Sequence, residues 1–132
     1  IYADDDRKAF YSVPLTGPSE ATVQLTAELP AHGYIGPYLI TADNRSFLYT
    51  ADIEVDGAYD LYQVPIIGTA EAAVKINGPL AEGGYVWQIG VNANGRYVLY
   101  VADEEVTGVR DLYVSEIGLS LDQELFLPLI LH

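Results

Sequence analysis

The 132 residues include six basic and nineteen acidic side chains, two histidines and no cysteine, for a formal net charge of -13. This balance argues against nucleic acid, whose phosphates need a basic face, and against an anionic membrane surface. The missing cysteine excludes disulfides and thiol chemistry, and no apolar run reaches the roughly 18 to 20 residues of a membrane helix.

With half its residues hydrophobic, the chain is expected to fold, and its length suits one domain. Eleven Tyr, twelve Gly and seven Pro make a strand-and-turn composition. The start at Ile1, without Met or a signal peptide, reads as a processed chain or a piece of a longer one.

The chain repeats itself about every 51 residues. The first, partial unit spans 1–26. Its Phe10-Tyr-Ser-Val-Pro-Leu-Thr-Gly17 recurs as Leu61-Tyr-Gln-Val-Pro-Ile-Ile-Gly68. Tyr2-Ala-Asp4 and the acidic run Asp4, Asp5, Asp6 precede it, in a loop three residues shorter than its later counterparts.

The second unit spans 27–77. It opens on Gly33-Tyr34, turns at Asp43-Asn44, and continues as Arg45-Ser-Phe-Leu-Tyr-Thr-Ala-Asp52, an apolar strand of the kind buried on both faces. An acidic loop leads to Asp60-Leu-Tyr62, and Ala72-Ala-Val-Lys-Ile-Asn77 reads as an outer, half-solvated strand.

The third unit spans 78–132. Its glycine-rich start, Gly78 to Gly84, is not followed by a helix with Lys-Ser/Thr, so it reads as a connecting loop and not a phosphate cradle. Strands follow at Tyr85–Val91, Arg96–Val101 and Asp111–Ile117. The Asn94-Gly95 hairpin signal joins the first two, since both central turn residues must accept positive φ. Dense β-branched and aromatic residues, with Gly or Pro interrupting every ten to fifteen residues, exclude helices.

The repeated segments resemble the TolB-like or WD40-like β-propeller repeat. The residues carrying the likeness are Asn94-Gly95, Ala51-Asp52, Ala102-Asp103, Asp56-Gly57, Asp60-Leu61-Tyr62 and Val64-Pro65-Ile66. The resemblance implies an all-β fold of tandem four-stranded antiparallel blades, buried inside and amphipathic outside. About two and a half blades make an incomplete propeller, because a closed ring takes four or more. An open stack leaves edges and faces exposed, which favours association. The resemblance also implies an extracellular, periplasmic or envelope setting.

The acidic loop Asp52, Glu54, Asp56, Gly57 and Asp60 has the alternating oxygen-ligand spacing of a short calcium loop, and resembles calcium loops between propeller strands. Asp103, Glu105 and Asp111 repeat it more weakly, with Thr107 at the middle position. The same residues also read as a solvated loop in which Asp and Gly only make turns. Ca2+ is the one cofactor these spacings suggest.

His32 and His132 lack a second His or Cys at ligand spacing, which excludes a zinc signature. The chain has no Gly-x-Ser-x-Gly elbow, and its scattered carboxylates define no acid–base pair. Trp87 and the tyrosines fall at strand spacing, as sheet-packing residues do. Asn44-Arg45-Ser46 is a formal glycosylation sequon on a hairpin tip.

The C-terminal run is apolar where an outer strand should meet water. Leu125, Phe126, Leu127, Leu129, Ile130 and Leu131 are expected either to dock on another chain by strand addition or to pack on a local loop. The sequence thus predicts a non-catalytic structural or protein-interaction module, a subunit that assembles with other chains and with copies of itself, extending to a fibre. The other reading is a non-catalytic propeller fragment of a larger secreted enzyme such as a peptidase.

Overall fold

A computed structural model describes residues 1–3, 9–13, 15 and 22–117. The described residues are all-β, with ten strands in three antiparallel sheets and a 3-10 turn at Ala70–Ala72. The first sheet holds β1 (Tyr2–Ala3), β2 (Phe10–Ser12) and β3 (Val23–Gln24). The second holds β4 (Ile35–Ile40), β5 (Ser46–Ala51), β6 (Asp60–Pro65) and β7 (Val74–Lys75). The third holds β8 (Val86–Val91), β9 (Tyr97–Ala102) and β10 (Asp111–Glu116). Each sheet is a meander in chain order, and the described strands do not close into a barrel.

The turns follow from the sequence. Asn44 (φ 58°) and Gly95 (φ 71°) hold equivalent places in the β4–β5 and β8–β9 hairpins. Asn tolerates the left-handed region and Gly has no Cβ to clash there. Side chains fasten both turns: Asp43 Oδ1 accepts the Arg45 N–H at 3.1 Å, and Asn92 Oδ1 accepts the Tyr97 N–H at 2.8 Å. Both first strands also shift register at matching points, between Ile35 and Tyr38 and between Val86 and Gln88.

Strand alternation then builds two cores. One face of the middle sheet presents Ile35, Phe47, Tyr49, Ala51, Tyr62 and Val64, which pack with Phe10 and Leu25 of the first sheet region. The Phe10 and Phe47 rings lie 5.0 Å apart. The opposite face presents Leu48 and Leu61, which pack with Val86, Val98, Tyr100, Ala102, Tyr113 and Ile117 of the third sheet region. The middle sheet is therefore covered on both sides, and every residue of β5 is buried. Each fully buried Leu contributes about 2 kcal/mol through water exclusion. We call the face turned toward the preceding sheet leading, and the other trailing.

Two expectations change. The run Ala72–Asn77 does not form one strand. Thr69 to Ala73 make the 3-10 turn and its flanks, and only Val74 and Lys75 pair, with Gln63 and Tyr62. Ala and Glu bring little to a pleated surface, so the local turn wins there. The β9 strand, expected to be buried on both faces, is fully buried only at alternate residues: Val98, Tyr100 and Ala102. The reason is geometric. Those three lean on the middle sheet, whereas Tyr97, Leu99 and Val101 point the other way.

Candidate functional site

The two acidic loops are built alike. Asp52 and Asp103 are both buried where β5 and β9 end. Asp52 accepts the N–H of Tyr34 at 2.6 Å on one oxygen and that of Gly57 at 3.1 Å on the other. Asp103 accepts the Trp87 indole N–H at 2.7 Å and the Gly108 N–H at 2.9 Å. Each carboxylate so ties its loop to the preceding strand. Gly57 and Gly108 both sit at φ 79°, where a side chain would strain the turn.

The remaining acids of the second unit's loop serve elsewhere. Glu54 bonds the Lys75 ammonium at 3.0 and 3.1 Å on the surface, and Asp56 is exposed. Asp60 is buried and accepts the Asn77 side-chain amide at 2.9 Å, with Lys75 3.8 Å away. In the third unit, Glu105 is exposed and Asp111 is half-buried in β10. Among the described residues no three His, Cys, Asp or Glu side chains converge as a metal-ion group. Asp4, Asp5 and Asp6 lie outside the described residues, as do His132 and the segment Leu125, Phe126, Leu127, Leu129, Ile130 and Leu131. An open groove of about 320 Å³ lies beside Glu54, Asp60, Lys75 and Glu82, and Lys75 pairs with the first two of its carboxylates.

A polar relay joins the middle sheet to the third. Asn77 accepts the Leu61 N–H at 2.7 Å and donates to Asp60 and to the Gly78 carbonyl. The Gly78 N–H then reaches Glu104 at 2.9 Å, and the Tyr100 hydroxyl donates to the same carboxylate oxygen at 3.0 Å. Burial, reinforced by the Glu104 charge, pushes the Tyr100 hydroxyl far above the ordinary tyrosine range, so it stays protonated as the donor. Sequence reasoning missed Asn77 and Glu104, because neither has a motif and their partners are remote in the chain.

A second inter-repeat difference is compensated. The Trp87 ring lies under the Arg110 guanidinium, 3.3 Å from its centroid, and stacks on Tyr85 at 4.1 Å. The residues 51 positions earlier are Gly36 and Tyr59. A Cβ at Gly36 would meet the Thr50 hydroxyl at 2.5 Å and the Tyr59 ring at 3.2 Å, so Thr50 and Tyr59 leave no room for a side chain there. Arg110 covers one face of the Trp87 ring, consistent with a packing role for this aromatic.

Asn44 of the sequon is exposed at its turn, while Ser46 is buried and its hydroxyl accepts the Gln63 amide at 2.9 Å. That hydrogen bond lies on the trailing face of the middle sheet, where Leu48 and Leu61 are wholly buried. The equivalent face of the third sheet is the largest contrast between repeats. Leu99 and Leu112 repeat Leu48 and Leu61, whereas Tyr97, Val101 and Val114 replace Ser46, Thr50 and Gln63. The face is more apolar than its buried counterpart, yet Leu112 is 51% exposed. A Cβ added at Gly90, which stands where Leu39 stands in the middle sheet, would meet nothing within 4 Å. Position-by-position comparison of the two repeats is the signal that finds this face in the sequence.

No family model, curated protein or solved structure matches the chain.

Proposed function

We propose that the chain is a non-catalytic structural and protein-interaction module that works by stacking its sheets into a larger assembly with copies of itself. The observation that carries this reading is the trailing face of the third sheet. It keeps the leucines its predecessor buries, replaces the neighbouring polar residues with apolar ones, and leaves Leu112 half exposed and the others only partly buried. Monomeric surfaces rarely present a contiguous apolar face of this kind without a binding role. The carboxylates of the acidic loops support the same reading, because their geometry shapes and links the sheets.

The resemblance of the repeated segments to TolB-like propeller blades supports an extracellular or envelope setting for the module, with a propeller or a fibre of successive blades as the proposed assembly. Light scattering across a wide concentration range tests the proposal. The expected result is a mass above that of one chain that falls on dilution; a compact monomer at every concentration rules it out.

A further inference from the structure

We propose that the outer edge of β10 receives an extended, lysine-bearing strand of a partner protein by strand addition. This goes beyond assembly through sheet faces, because an edge binds through its backbone.

The ladder sets the direction of the backbone groups in β10. The Ile117 N–H bonds the Arg96 carbonyl, so alternation turns the groups of Tyr113 and Ser115 toward β9 and those of Leu112 and Val114 away from it. In the middle sheet the equivalent outward groups are satisfied. Ile76 donates its N–H to the Leu61 carbonyl at 2.8 Å, the Asn77 side chain accepts the Leu61 N–H at 2.7 Å, and Gln63 pairs with Val74. In the third sheet β10 is the edge strand, and among the described residues nothing bonds the outward groups of Leu112 and Val114. Leu112 is also 51% exposed, so the edge is open to an incoming strand.

The middle sheet shows which strand suits this edge. Lys75 of β7 lies 3.8 Å from the Asp60 carboxylate, and the Asn77 side chain donates to it at 2.9 Å. Asp111 repeats Asp60 in sequence and in register, facing Ala102 as Asp60 faces Ala51. It is half-buried, and among the described residues no side chain donates to it. The residues 51 positions after Lys75 and Asn77 are Phe126 and Pro128, whose side chains carry no donor. The third unit thus keeps the carboxylate and lacks the sequence that serves it. Charge complementarity selects a strand with a lysine opposite Tyr113, where Lys75 stands opposite Tyr62. Apolar residues on either side of that lysine would join Leu112 and Val114 on the trailing face, as Ile76 joins the core of Leu48 and Leu61. The net charge of -13 attracts a basic segment of this kind.

The probe is a synthetic peptide, blocked at both ends, with the sequence Ala72-Ala-Val-Lys-Ile-Asn77. It is titrated into the full chain, at concentrations where the chain is monomeric, and followed by amide NMR. The resonances of Leu112 and Val114 are expected to shift. A peptide with Phe in place of its lysine, or Asp111→Asn in the chain, is expected to weaken binding about tenfold or more, the change that follows from losing a hydrogen bond between charged groups. N-methylation of the peptide's isoleucine removes an edge-facing N–H and is expected to abolish binding. Asp56→Asn, in the exposed loop of the second unit, is expected to bind as the parent does.

No binding, shifts confined to other strands, or binding indifferent to the N-methyl group overturns the edge as the acceptor. Equal binding of the phenylalanine peptide overturns the lysine-bearing partner and leaves an apolar strand as the occupant. The peptide comparisons use the parent chain, so they decide the matter whether or not Asp111→Asn folds. All are read on the monomer, so their failure is distinct from a failure of self-assembly.

Discussion

Two leucines 51 residues apart offer a comparison, because Leu61 and Leu112 hold equivalent register positions in their sheets, opposite Thr50 and Val101. Leu61 is wholly buried between the middle and third sheets, and Leu112 is 51% exposed. Truncating Leu61 to Ala removes its transfer free energy and leaves a hole that the flanking sheets cannot fully close, a loss of about 3 kcal/mol within a range of roughly 2 to 5. Truncating Leu112 forfeits only about half of the roughly 2 kcal/mol of burial and opens no enclosed cavity, so about 1 kcal/mol or less is lost. With a urea dependence near 2 kcal/mol per molar, the midpoint moves by about 1.5 M for Leu61→Ala and by about 0.5 M or less for Leu112→Ala. Unfolding followed by Trp87 fluorescence, at concentrations where the chain is monomeric, reads both. Equal shifts would refute the reasoning, since they would mean that the third sheet's trailing face is already covered within one molecule.

Two glycines separate conformational strain from collision. Gly57→Ala meets nothing within 4 Å but keeps a positive φ, so it is expected to cost about 1 to 2 kcal/mol. Gly84→Ala places a Cβ 2.5 Å from the Asp103 carbonyl and should cost clearly more, with thermal unfolding ranking the two. Asp103→Asn keeps one acceptor for the two N–H groups that the carboxylate serves. It is expected to lose about 1 to 3 kcal/mol and to shift Trp87 emission, and unchanged emission would count against the indole contact.

Asp43 is held below its usual carboxylate range first by the Thr41 hydroxyl, at 2.5 Å, and then by the Arg45 N–H. A depressed folded-state value means that its contribution is present above the unfolded value of 3.8 and is lost as pH falls through the folded one. In Thr41→Val, the Asp43 titration followed by NMR should move back up toward the ordinary range, and an unmoved titration would discount the hydroxyl as its cause.

Much of the strand content was legible because the repeat displays it twice. Phe47, Tyr49 and Val64 have counterparts in Val98, Tyr100 and Ser115, and the turns at Asn44 and Gly95 coincide in both sequence and geometry. The acidic loops were harder to read. Alternating carboxylates suit a bound cation and a self-fastened turn equally well in one dimension. Only in three dimensions do the N–H groups of Gly57 and Gly108 take up Asp52 and Asp103. The short fourth strand escaped for a related reason. Val74, Lys75 and Ile76 alternate as a strand should, but pairing is limited to two residues, and Asn77 takes over by accepting the Leu61 N–H that a longer ladder would have used. The apolar trailing face of the third sheet is equally hard to read in one dimension, because an exposed Leu112 is unremarkable until its counterpart is seen buried.

The exchange of Gly36 and Tyr59 for Trp87 and Arg110 bears on how such a protein could be lengthened or recombined. These residues form two interlocking sets, each spanning a hairpin and the loop beyond it. A crossover between the two positions would set Trp87 beside Tyr59 and Gly36 beside Arg110, parting the guanidinium from the ring it covers. A crossover at a unit's border carries each set intact. Duplication in whole modules is therefore the route by which this architecture can grow without losing its fit.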